Sequence, residues 1–263
     1  MTLRPCLRAS PWDAFFICRV LFISCNLFYW ALFSGAWAAS ETATVTAIID
    51  GDTLILRDGR HLRLIGVNSP EQGYGKRPDE PWATAATAYI RTRLLNKKVR
   101  LLMGRQRQDR HRRTLAQVFS EDGQDIQAGL LERGLAVAIT VAPNVDHAEE
   151  YLRIERIARR HANGLWGDAY YKPKPAQGLS TQTRGFHFVR GRIQRIGKSR
   201  RYIYLDLSDR FSVRISHQAW QQYWTDKPKD WLGALVEVRG WVSLYNRRLR
   251  TTISHPAMIE RLE

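Results

Sequence analysis

The stretch TVTAIIDGDTLILRDGRHLRLIGVNSPE, residues 44–71, leaves a chain few ways to fold. Three short runs rich in Val, Ile, Leu and Thr are separated by Asp50-Gly51 and Asp58-Gly59, and Asp-Gly between apolar runs favours tight reversals. A meander of this kind cannot bury its apolar face alone, so later residues must cover it. The third run stops at Asn68-Ser69-Pro70-Glu71. That is either an ordinary turn or half of a polar site whose other half is the Asp50-Gly51-Asp52 turn.

The cover follows in sequence. A Gly/Pro-rich loop, GYGKRPDEP, places Pro81 where a first helical turn accepts it, and WATAATAYIRTRLLNKK then sets Ala85, Ala88, Tyr89, Leu94 and Leu95 near helical spacing. VRLLMG reads as a strand, RQRQDRHRR as a polar run and TLAQVFS as another strand. DIQAGLLERG is a short helix capped by Asp125 and stopped by Gly134, and HAEEYLRIERIARRHANG a longer one ending at Gly164. Strands first and helices after predict a β-rich α+β fold, a small barrel with helices on its outside. Residues 169–184, rich in Pro, Gly, Ser, Thr and Gln, read as a linker. In residues 185–263, some five short strands surround a Trp-rich helical or irregular piece, the pattern of a second small β-barrel, OB-like.

Charge is uneven. The net value is +16, and residues 184–263 hold 16 Lys and Arg against 7 Asp and Glu, which points to a polyanionic partner. At the amino end, Arg4 and Arg8 precede an uncharged apolar run over residues 20–38 that closes on Ala36-Trp37-Ala38. This predicts a cleaved signal peptide, residues 1–38, and a periplasmic or secreted mature chain with no membrane association. An uncleaved anchor stays open, because the run is about long enough to span a bilayer. Cys6, Cys18 and Cys25 all lie here, so the mature chain would have neither disulfides nor Cys-based metal sites.

Asp52 and Glu71, with the amide and carbonyl oxygens of Asn68 and Ser69, form an oxygen-only set of the kind that suits a hard cation such as calcium. A cation beside arginines is what a phosphodiester needs as charge develops on phosphorus. Arg63 leads into the acidic turn and Arg113 opens the strand after RQRQDRHRR, although position alone does not single these arginines out.

IDGDTLIL, LRLIGVNSPE, QDRHRRTLAQVF, LLERGLAVA and HANGLWGD, in this order and spacing, resemble the thermonuclease (staphylococcal nuclease-like) family across residues 43–168. The resemblance implies an OB-type five-stranded barrel with three helices over a nuclease-like domain, residues 41–168, and calcium-dependent hydrolysis of DNA and RNA. It implies metal ligation by the Asp52 carboxylate, the Asn68 side chain and the Ser69 carbonyl, Glu71 as general base, and Arg63 and Arg113 on the phosphate. Two positions depart from the pattern. Asn68 stands where the best-known members carry Asp, which removes one negative charge but keeps an oxygen donor and so weakens cation binding. Thr140 and Ala142, in AITVAPN, replace tyrosines that members often place against the base and a phosphate.

In residues 185–263, Lys198, Arg200, Arg201, Arg247 and Arg248 lie near Phe188, Tyr202, Tyr204, Trp241 and Tyr245, the mixture used by single-strand binders; Arg110 is a further candidate contact in the first domain. Core aromatics under a solvated basic face would give the same pattern. Were the turns GKSRR and YNRR neighbours, they would form one basic edge that tethers substrate. The expectation is therefore an exported, metal-dependent nuclease acting on DNA, RNA or both, with a nucleic-acid-binding appendage and no stable protein partner. The rival is a binder on a nuclease-like scaffold that has lost turnover through Asn68. The retained Asp52, Arg63, Glu71 and Arg113 favour the enzyme, since a carboxylate beside a phosphate repels it and serves a binder no purpose.

Overall fold

A computed structural model describes residues 40–262. The expected signal, residues 1–38, lies outside the described residues, among which no helix is long and apolar enough to cross a membrane. The first barrel comprises β1 (Ser40–Ile48), β2 (Thr53–Leu56), β3 (His61–Leu64), β5 (Lys98–Gln108) and β6 (Thr114–Phe119), closed in the order β1-β2-β3-β6-β5. Alternation along β2 and β3 turns Leu54, Leu56, Leu62 and Leu64 inward, where all are buried. Strand β1 pairs with both β2 and β5 and is irregular between Val45 and Ala47, while β3 and β6 run parallel. Outside this ring, a short strand β4 (Val67–Asn68) pairs with β7 (Val137–Ala138).

Three helices cover the barrel: α1 (Ala83–Leu94), α2 (Ile126–Glu132) and α3 (Ala148–Arg160). On α1 the buried stripe is Ala83, Ala86, Thr87, Ile90 and Leu94, rotated from the predicted one because two alanines let the helix lie close to the strands. Pro81 stays outside this helix, in a turn closed by the Ala83 N–H on the Glu80 carbonyl. The Asp125 side chain caps α2 through the Ala128 N–H. Gly134 then turns the chain in the left-handed region, where a Cβ would stand 2.0 Å from the Asn163 carbonyl oxygen. Strand β5 continues through the first half of the polar run as far as Gln108, which pairs with Thr114. Asp146, which ion-pairs with Arg105 at 2.6 Å, and the Asn144 side chain, which bonds both backbone groups of Gln106, hold that exposed ribbon.

The second half repeats the circuit. β9 (Gly185–Arg192) and β10 (Arg195–Lys198) are two pieces of one strand bent at Ile193 and Gln194, followed by β11 (Tyr202–Asp206), β12 (Phe211–Ser216), α4 (His217–Tyr223), β13 (Leu235–Tyr245) and β14 (Arg248–Thr252). The sheet order is β10-β11-β12-β14-β13-β9, extended by β8 (Lys174–Pro175) on β9 and β15 (Ile259–Arg261) on β13. Because β9 pairs with β13 and β10 with β11, the bent strand curls the sheet on itself. As in the first barrel, the third and fifth strands of the circuit are parallel and a helix joins the third to the fourth. This is the OB-type arrangement.

Part of the segment expected as a linker is packed. Lys174 and Pro175 add a parallel strand to β9, and Ala176 and Leu179 are buried in the second core, so Pro and Gly here shape a close-fitting turn. The barrels share one apolar cluster in which Val137, Ile139 and Leu165 meet Phe188, Val238 and Met258. At its edge Glu155 of α3 is 1% exposed and Arg239 of β13 is 6% exposed, and the two ion-pair at 2.7 Å. Arg159 reaches Glu237 at 3.1 Å, and Glu237 also takes Arg190 at 2.9 Å.

Removing one partner of a buried pair strands a charge, so Arg239→Ala is expected to lower the unfolding free energy by about 3–5 kcal/mol, read by urea denaturation. Glu237 adds a pH dependence. Burial pushes its carboxyl up, but Arg190 and Arg159 outweigh it and hold the carboxyl below its ordinary value of 4.5. A depressed carboxyl stabilises the fold above its unfolded pKa and loses that contribution as pH falls through the folded one. Unfolding midpoints measured below pH 4.5 should therefore fall less steeply in Glu237→Gln than in the unsubstituted chain.

Candidate active site

The Asp50-Gly51-Asp52 turn divides its work between its two carboxylates. Asp50 Oδ1 accepts the Asp52 N–H at 2.9 Å, the self-supporting role of a turn Asp, which leaves the Asp52 carboxylate to face inward. Asp52 is 4% exposed and accepts the Ser69 N–H at 2.7 Å and the Thr53 hydroxyl at 3.1 Å. A Cβ on Gly51 would stand 2.7 Å from Ala86 Cβ and 2.8 Å from Ser69 Cβ, so glycine lets the two turns close on each other over α1. Asn-Ser-Pro-Glu thus packs directly against the Asp50-Gly51-Asp52 turn.

Arg63 occupies its centre. One Nη donates to the carbonyls of Leu64 and Val67 at 2.8 and 2.9 Å; the other pairs with Asp52 at 3.0 Å and donates to Asn68 Oδ1 at 3.3 Å. Pairing of Asn68 with Val137 on β7 fixes the strand that carries it. Glu71 is held by its backbone: its N–H donates to Glu80 Oε2 and its carbonyl accepts the Glu80 N–H, both at 3.0 Å. Its side chain is exposed at the rim.

Ionisation of two of these carboxyls is disfavoured by burial and, secondarily, by crowded negative charge. Burial, then Asp52, pushes Asp50 up to about 7 against the Asp52 N–H and Arg63. Burial and Asp52, with Glu80, also push the Glu71 carboxyl up, opposed by Arg63 and Arg77.

Arg113 closes the β5–β6 connection, where Asp109 accepts the backbone N–H groups of His111 and Arg113 and takes Arg113 Nε at 2.7 Å. Arg113 immediately precedes β6, whose Leu115 lies opposite Arg63. Arg110 stands apart at the loop tip, donating from Nε to the His111 ring at 3.0 Å. Asp109, four residues before Arg113, has the spacing of a local ion pair and was open to notice in the sequence; the approach of Glu80 to Glu71 closes a nine-residue loop and has no such spacing.

The donors that the family resemblance implies for a cation are the Asp52 carboxylate, Asn68 Oδ1 and the Ser69 carbonyl. Among the described residues no group of three or more His, Cys, Asp or Glu forms a metal cage. An all-oxygen set completed by water suits calcium, and mutual repulsion among Asp50, Asp52 and Glu71 is an excess of negative charge that a cation would relieve. The residues fit such an ion, in competition with Arg63 for Asp52 and Asn68.

Thr140 and Ala142 lie in the joint between the barrels: their N–H groups donate to Met258 Sδ and Ser254 Oγ, each at 3.0 Å. Of the second-barrel candidates, Lys198 ends β10, Arg200 and Arg201 occupy the β10–β11 turn, Arg247 the β13–β14 turn, and Arg248 opens β14. Tyr202 is opposite Ser216 at the end of β12, whereas Leu249 is opposite Phe211 at its start. The two basic turns therefore bracket the sheet from opposite ends rather than forming one edge.

Residues 61–168 match the family model of the staphylococcal nuclease homologues. The thermonuclease of Staphylococcus hyicus is 34% identical over 135 residues, covering 50% of this chain and 79% of that protein. The chain belongs to the staphylococcal nuclease family. The Staphylococcus intermedius thermonuclease is 33% identical over 129 residues, covering 48% and 76%, and a "Probable endonuclease lcl3" of Penicillium rubens is 31% identical over 121 residues, 41% of each chain. These relatives support a nuclease function for this member. The staphylococcal nuclease match ends at Asp168, short of the second barrel.

If Asp109 orients Arg113, Asp109→Ala should lower kcat/KM for oligonucleotide cleavage by roughly ten- to a hundredfold, less than Arg113→Ala does. Steady-state kinetics on both variants checks this.

Proposed function

We propose that the chain is an exported, calcium-dependent nuclease that hydrolyses phosphodiester bonds in DNA, RNA or both. The observation that carries the reading is the meeting of two turns, Asp50-Gly51-Asp52 and Asn68-Ser69-Pro70-Glu71, around the guanidinium of Arg63. Family membership supports the nuclease class, the oxygen donors support calcium, and export rests on the sequence pattern of residues 1–38.

When bound, calcium would neutralise charge on the scissile phosphate and polarise a water. Asp52, Asn68 and Ser69 would hold it. Glu71, whose carboxyl is raised and whose side chain is exposed at the rim, takes a proton from the attacking water. Arg63 and Arg113 donate to phosphate oxygens, where charge-assisted hydrogen bonds strengthen as negative charge builds. The carbonyls of Leu64 and Val67 fix the Arg63 guanidinium in advance, and Asp109 does the same for Arg113. One observation favours a second reading, a binder without turnover: Asn68 adds no charge to the donor set.

Cleavage of single- and double-stranded DNA and of RNA, titrated with calcium against a chelator, tests the proposal. Calcium-dependent cleavage that Glu71→Gln lowers by roughly 10²- to 10⁴-fold supports it; salt-sensitive binding without cleavage under any divalent ion overturns it in favour of the binder. Asn68→Asp restores a charge to the donor set and should tighten calcium binding on the order of tenfold, read by calorimetry. Mass spectrometry of the exported protein should find an amino terminus just beyond Ala38.

A further inference from the structure

The outer face of the second sheet holds an arrangement that phosphodiester chemistry at Glu71 does not use. Alternation turns Ile203, Leu205, Phe211, Val213, Ile215 and Leu249 inward, where all are buried. The same alternation turns Tyr202, Tyr204, Asp206, Arg214, Arg248 and Arg250 outward on adjacent strands. In register, Arg195 faces Asp206, Asp206 faces Ser212, and Ser212 faces Arg250. Gly197 faces Tyr204 and places no side chain beside its ring.

Asp206 is 5% exposed, and its carboxylate holds Arg195 at 2.7 Å and Arg248 at 3.3 Å, fixing two guanidinium groups on the sheet. Arg250 lies over the Tyr245 ring, 3.8 Å from its centroid, and Tyr245 is 54% exposed. Between them lies a cleft of about 300 Å³ lined by Arg195, Lys198, Tyr204, Tyr245, Asn246 and Arg250. Four cations, counting Arg248, face the single carboxylate of Asp206. Among the described residues, neither Lys198 nor Arg250 has a carboxylate partner. At the hairpin tip beside the cleft, Asn246 and Arg247 have φ of 47° and 63°, a two-residue turn of the type that favours Gly at its second position. An Arg held there despite its backbone cost keeps a charge at the rim.

We propose that this face binds single-stranded nucleic acid, with bases stacked on Tyr204 and Tyr245 and phosphates along Arg195, Lys198, Arg248 and Arg250. For the nature of the polymer it rests on the nuclease reading. Rings lying on a sheet can meet only unstacked bases, so a duplex gains from the cations alone. A lipid surface would be met by protruding apolar tips, whereas the cleft is lined by Asp206, Ser212 and Asn246 between the rings.

The test is fluorescence anisotropy of a labelled oligothymidylate of about twelve nucleotides, within the roughly 4–16 that one OB barrel covers. It binds the full chain carrying Glu71→Gln, in chelator, so that cleavage is silent. Tyr204→Ala and Tyr245→Ala should each weaken single-strand binding roughly 5- to 150-fold, while Tyr245→Phe, which keeps the ring, binds as the parent does. Lys198→Ala should reduce the slope of log affinity against log salt by about 0.7. Affinity unmoved by both alanine substitutions, or equal affinity for duplex, overturns the proposal; so does binding to phosphatidylserine vesicles that depends on Tyr245 in a chain with no oligonucleotide affinity. Cleavage is assayed separately on the unsubstituted chain. A chain that cleaves nothing but binds through the two tyrosines overturns the nuclease reading alone, and one that cleaves but ignores the tyrosines overturns this inference alone.

Discussion

The buried Glu155–Arg239 pair organises the molecule. Glu155 accepts the Ala138 N–H at 2.6 Å and Arg239 donates to the Ala138 carbonyl at 3.1 Å, so one ion pair takes both polar groups of a single residue. Ala138 belongs to β7, which pairs with β4 and hence with Asn68. A charge pair drawn from both barrels thus fixes the strand beside the acidic cluster. Desolvation offsets most of the Coulomb attraction in such a pair, so its main effect is on position: an apolar substitute could match its energy but could not hold that peptide by both ends.

Two sites of the chain are biased in opposite directions of charge. At the first site Asp50, Asp52 and Glu71 repel each other around one trapped arginine, which favours an arriving cation. On the second sheet the proportion is reversed, and one buried aspartate steadies arginines that face solvent. Oppositely biased surfaces on one body suit a substrate that is itself a polyanion and a reaction that needs a counter-ion only at the scissile bond.

Much of the fold was legible because its signals are local. Asp-Gly turns, alternating leucines and the Asp125 cap require only near neighbours, and β2, β3 and α2 fall where those signals place them. Asp52 accepts the Ser69 N–H and shares the Arg63 guanidinium with Asn68. What escaped is tertiary. Ala176 and Leu179 look like linker residues until a second core covers them, and the separation of the two basic turns depends on the parallel pairing of β12 with β14, which no local pattern encodes. The contact of Glu80 with Glu71 and the burial of Asp50 likewise depend on how one loop and one turn fold, not on a residue pattern.

The close packing of residues 174–179 has a further consequence. A flexible connector would let a captured strand sample every distance to the scissile position, and products would be random in length. With the connector stitched into β9 and the barrels joined through one core, any strand gripped by the second barrel meets the first at a constant offset. If both proposals hold, the fold itself, not a tether, would set the spacing between held bases and scissile bond.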